Sequence, residues 1–220
     1  MRPKASFAVL LLGFALAGAP VSQAAYYEDP RDIDVTGPYT QPGTGMVFPE
    51  SLRDFKRIDV ISYNSERTDE SATYLLERDG EPQIAITVYV YPVPADIGSA
   101  LAQALPQSDL LGTWYMIGQQ LFDDEEQSIV EVHRGAQLVD GGDTSYVQRG
   151  VTYPGAFSNL RFQEDFFGTV ETVDSALYLF PMVGGKWMIK YRITYPDSID
   201  GEGPATAFIH ALPWTIRGLK

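Results

Sequence analysis

The chain has 220 residues, 45% of them hydrophobic, no cysteine, and a formal net charge of −13. Without cysteine it can carry no disulfide, thiolate metal ligand, thiol nucleophile or N-terminal lipid anchor, so a fold outside the cytoplasm must be held by its own core. The negative charge repels phosphate backbones and anionic lipid, which argues against nucleic-acid binding and general membrane binding.

Met1-Arg2-Pro3-Lys4 gives a basic start, and an apolar run from Ala5 to Ala17 follows. Gly18-Ala19-Pro20 breaks it, and Ser22 and Ala24 supply the small residues of a peptidase site. Residues 1–24 therefore read as a cleaved secretory signal peptide, too short to span a bilayer. No second apolar stretch of spanning length follows, so the mature chain is expected to be periplasmic or secreted, with no transmembrane segment. Cleavage leaves 196 residues and, with the loss of Arg2 and Lys4, takes the charge from −13 to −15. Residues 25–45, rich in Pro, Gly and Asp, read as a flexible leader, and 46–220 as a single domain.

Arg57 to Tyr63 is β-branched and aromatic, and is predicted to be a strand. Asp79-Gly80 predicts a two-residue hairpin turn that sets Arg78 opposite Glu81. The second strand of that hairpin, Ile84 to Tyr91, alternates Ile84, Ile86, Val88 and Val90 on one face with Ala85, Thr87, Tyr89 and Tyr91 on the other. A helix is predicted from Asp96 to Leu105, ended by Pro106. A second runs from about Leu110 or Gln119 to Arg134 and is closed by Gly135. In this reading Asp123 to Glu126 lie in its first half and His133-Arg134 at its end, in the order a helix dipole favours.

Strands return at Thr144–Tyr153, Leu160–Val170, Ala176–Met182 and Lys186–Tyr195. Setting Met182 opposite Trp187 matches Phe180 with Ile189, Tyr178 with Tyr191 and Ala176 with Ile193, an apolar face throughout. A four-residue loop, Val183 to Lys186, turns Pro181 outward, where its missing N–H does no harm. Ala205, Phe208, Ile209 and Leu212 then form the stripe of a short closing helix between Pro204 and Pro213.

The predicted class is α+β, an antiparallel sheet with helices packed on its faces. This order, with Phe48-Pro49, Tyr89-Val90-Tyr91-Pro92, a Gly-turn hairpin and the Phe208-Ile209 helix, resembles the PsbP-like family over most of residues 46–214. The resemblance implies a sandwich of that kind and a binding or assembly role rather than catalysis. It transfers no site residue, because no position matches a functional motif.

Little in the chain reads as catalytic chemistry. His210 points away from the Phe208-Ile209-Leu212 stripe, and His133 is accounted for by the helix dipole. The G-x-S-x-G elbow of a serine hydrolase is absent. Glu164-Asp165 interrupts an apolar strand, but neighbouring strand residues face opposite ways and cannot act as a pair. Asp140-Gly141-Gly142-Asp143 and Asp197, Asp200 and Glu202 lack the calcium-loop spacing and read as turns. No catalytic residue, metal or cofactor is assigned.

One basic stripe stands out, formed by Lys186, Lys190 and Arg192 on the face of the last strand opposite Trp187, Ile189, Tyr191 and Ile193. Either its stems cover Leu177, Leu179 and Pro181, or it docks an anionic partner, a protein or other envelope component. The expected function is an exported non-catalytic binding or accessory module of the cell envelope. A secreted hydrolase acting on envelope or carbohydrate material is the alternative, and whether the chain is an enzyme stays open.

Overall fold

Alternating apolar residues separated by X-Gly turns organise the chain, and in the computed structural model they build a large antiparallel sheet. The structure describes residues 30–94, 110–183 and 186–217, with the backbone alone for 110–117 and 182. The expected signal peptide and cleavage site, and the helix expected from Asp96 to Leu105, lie outside the described residues.

Four two-residue strands come first: β1 (Arg31–Asp32), β2 (Tyr39–Thr40), β3 (Val47–Phe48) and β4 (Ser51–Leu52). They precede β5 (Phe55–Ser62), β6 (Glu70–Arg78) and β7 (Glu81–Pro92). Helix α1 (Leu110–Val132) leads into β8 (Gln137–Gln148), β9 (Val151–Phe166), β10 (Thr169–Val183) and β11 (Trp187–Pro196), and α2 (Glu202–Ala211) follows. The main sheet has nine strands in the order β1-β5-β6-β7-β11-β10-β9-β8, with β4 also on β5, while β2 and β3 pair separately. β11 thus inserts between the two halves, pairing antiparallel with β7 and with β10.

Three hairpins turn on X-Gly pairs in which both residues have positive φ: Asp79-Gly80, Arg149-Gly150 and Phe167-Gly168. This is the backbone of the tight turns that match strand twist. Arg78 faces Glu81 as expected. The second and third turns divide what the sequence suggested were continuous strands, Thr144–Tyr153 and Leu160–Val170.

The α+β sandwich is overturned. Strands carry most of the described chain, and the two described helices each cover a patch of the sheet rather than forming a layer. The fold is β-rich. Long hairpins whose apolar alternation runs on beyond the patches the helices cover account for the difference.

The leader is also corrected. From Pro30 onward residues 30–45 belong to the fold: β1 pairs with β5, and β2 with β3. Gln41 and Thr44 are fully buried, and the Gln41 side-chain oxygen accepts hydrogen bonds from the Thr44 N–H and Oγ1. Tyr39 donates to buried Glu70 at 2.6 Å, and Arg67 donates to the same carboxylate at 3.1 Å.

Each face of the sheet has its own apolar cluster. One gathers Ile86, Val88, Ile189, Tyr191 and Phe180 with Phe208 and Ile209 of α2 and the C-terminal Trp214. Trp214 stacks on Tyr146 at 3.9 Å between centroids, and its indole N–H donates to the Tyr191 hydroxyl at 2.8 Å. The other gathers Leu160, Phe162, Leu177, Leu179 and Met188 with Leu121, Phe122 and Ile129 of α1.

The register of β10 on β11 agrees with the sequence from Ala176 to Phe180. Beyond it an irregularity intervenes, and Val183 rather than Met182 stands opposite Trp187. Pro181 lies within that irregular stretch, where a residue without an N–H is tolerated.

Candidate functional site

The face of β11 beneath α1 carries Met188, Lys190, Arg192 and Thr194. Antiparallel pairing keeps directly opposed residues on one face, so Arg192 shares a row with Thr73, Thr87, Leu177 and Ser158. A second row holds Ser71, Tyr89, Lys190 and Leu179. Two cations and a band of hydroxyls therefore lie side by side on an otherwise apolar surface.

Lys190 donates to Glu125 of α1 at 2.8 Å, and its ammonium stands 4.4 Å from the centroid of the Tyr89 ring. Tyr91 donates to the other Glu125 oxygen at 3.0 Å. Arg192 donates from Nε to Ser175 at 2.8 Å, and its guanidinium carbon lies 5.9 Å from the Phe162 ring centroid. Burial pushes Arg192 below the ordinary arginine range, against the opposing pull of Tyr89, Glu164 and Glu125. Lys186 sits apart, exposed in the turn before β11, with its ammonium over the Trp187 ring at 5.6 Å. The structure thus brings Lys190 and Arg192 together and leaves Lys186 out.

Asp69, just before β6, responds electrostatically to the same group. Burial pushes it up to about 6, with Lys190 pulling it down and Glu125 and Glu70 pushing it further up. Near the C-terminal end of α1, His133 Nδ1 lies 2.8 Å from Glu164 Oε2, and the imidazole stacks on Phe162 at 4.0 Å between centroids. The Ser158 hydroxyl, in the Arg192 row, is buried without a hydrogen-bond partner.

Several of these roles differ from the sequence reading. Because α1 starts at Leu110, Asp123 to Glu126 fall near its middle, and it has no acidic residue in its first turn and no basic one in its last. His133, just past the end of the helix, also meets a carboxylate on the sheet, Glu164. Glu164 and Asp165 part to opposite faces, as expected, at the end of β9: Glu164 meets His133, and Asp165 accepts the Gly168 N–H of the next turn at 2.6 Å. Glu125 was passed over, although Leu121, Glu125, Ile129 and His133 recur every four residues. A carboxylate on an apolar helical stripe is a direct signal of a buried partner.

Among the described residues no group of three or more His, Asp and Glu side chains is placed to hold a metal. No described helix is long and apolar enough to cross a membrane.

No family model and no curated protein matches the chain. Among solved structures, the Ran-binding protein Mog1p of Saccharomyces cerevisiae is similar at 14% identity and a TM-score of 0.35, over 85% of this chain and 86% of that one. A mutant of protein Mog1 matches at 15% identity and a TM-score of 0.34, over 86% of this chain and 87% of that one. Likeness at such scores says nothing about what this chain binds.

Proposed function

We propose that this protein is an exported, non-catalytic binding or accessory module of the cell envelope. The observation that carries the proposal is the placement of its reactive side chains within contacts that hold the fold. Glu125 joins Lys190 and Tyr91 across the interface between α1 and the sheet. His133 is held by Glu164 and Phe162, and Glu70 by Tyr39 and Arg67. Acid–base or nucleophilic catalysis asks for groups aimed at a substrate, and these are aimed at one another.

A binding role is also what the PsbP-like resemblance implies. The basic stripe of Lys186, Lys190 and Arg192 is the weaker docking face, because an anionic partner would first have to displace Glu125 from Lys190.

The test is fractionation followed by cross-linking. The expected result is a mature N-terminus at Ala25 and a cross-linked protein partner from the envelope fraction. Recovery of the chain with Met1 intact, or of the mature chain alone, would contradict the proposal.

A further inference from the structure

The two edges of the nine-stranded sheet are unequal. One ends in the two-residue strand β1, the other in the twelve residues of β8. Natural sheets protect such edges with short strands, charges, bulges or a covering element. β8 has an irregularity around Val139 and two aspartates, but residues 137–143 are all exposed. It also carries exposed aliphatic side chains: Leu138 is 60% accessible, Val139 56% and Val147 59%. An edge that no described strand covers, with exposed apolar side chains, is a template for an added strand.

Charge selects the occupant. Between Gln137 and Gln148 the strand has Asp140 and Asp143 and no basic residue. Antiparallel self-pairing centred on Gly141-Gly142 would set Asp140 of one copy opposite Asp143 of the other, a destabilising like-charge pair. In any other register two acidic strands with no basic residue still lie side by side, so a second copy is disfavoured. Asp140 pairs with Asn159 and Asp143 with Ala156, and those two positions of β9 lie on opposite faces. A complementary strand needs basic residues three apart, one for each face.

We propose that β8 is a strand-addition site for an extended segment of a partner protein bearing two basic residues three positions apart. This deepens the binding-module reading and rests on it.

The experiment uses the mature chain and labelled ten-residue peptides of valine and threonine. One peptide carries two lysines three apart, a second carries glutamates in their place, and a third is the lysine peptide N-methylated on alternate residues. Fluorescence anisotropy should show the lysine peptide binding at least tenfold more tightly than the glutamate peptide. Asp140→Lys with Asp143→Lys should invert that order, N-methylation should abolish binding, and amide exchange should slow within residues 137–148. Equal affinity for the two charges, undiminished binding of the N-methylated peptide, or self-association through β8 would each overturn the proposal. The two readings also fail separately. If the peptide results hold but no envelope partner exists, the functional reading falls. If a partner binds the double variant as well as wild type, the β8 assignment falls.

Discussion

On β11, Lys190 and Arg192 sit between Met188 and Thr194, facing a helix whose apolar stripe includes Glu125. Lys190 and Glu125 are both largely buried, so removing one partner strands the other. Lys190→Met should lower stability by about 1–3 kcal/mol, and adding Glu125→Gln should recover part of the loss, as read by urea unfolding. Equal and additive losses would show that the two side chains do not interact. The carboxyls give a second residue-scale test. Burial raises Asp69 from 3.8 to about 6 and also raises Asp59 and Glu70. Each binds its proton more readily in the folded chain than in the unfolded one. Their stabilising contribution is thus fully present below the ordinary carboxylate range and is lost as pH rises through the folded values. The urea midpoint should rise as pH falls from 7 to 5, and Asp69→Asn should flatten that rise. An unchanged slope in the variant would remove Asp69 from the account.

Among the elements, the hairpin at Asp79-Gly80 was legible because both its residues tolerate positive φ. The turns at Arg149-Gly150 and Phe167-Gly168 adopt the same backbone, but Arg149 and Phe167 give no such signal, so two strands were read through them. The β10–β11 register was legible because an apolar face admits one alignment, and it failed only where Pro181 disturbs the ladder. The segment before Met46 was misread for a different reason. Its contacts, such as Tyr39 to Glu70, span long sequence separations, and two of its buried side chains, Gln41 and Thr44, are polar. Composition cannot reveal such burial. Deleting residues 25–45 should therefore cost more than about 2 kcal/mol, since it removes strand pairing and leaves Glu70 buried with one partner fewer. An unchanged unfolding midpoint would restore the flexible-leader reading. In β9, Gly155 backs directly onto β10, where an added Cβ would stand 2.5 Å from the Leu179 carbonyl oxygen. Gly155→Ala should destabilise by about 1–3 kcal/mol, through overpacking rather than loss of a turn.

At the scale of the whole molecule, the sheet has clusters on both faces, a short edge at β1 and a long exposed edge at β8. The candidate site was legible only in part. Alternation along the last strand identified Lys190 and Arg192, but Glu125, the partner of Lys190, comes from α1, which no local pattern connects to β11. The central claim is that an exported module meets a protein partner at β8, not at the basic stripe. A photo-cross-linking residue placed in turn at position 147 and at position 186 of the full chain, in intact producing cells, tests this most directly. The account predicts an adduct with an envelope protein from position 147 and little from position 186. Adducts from position 186 alone, or none from either position, would contradict it.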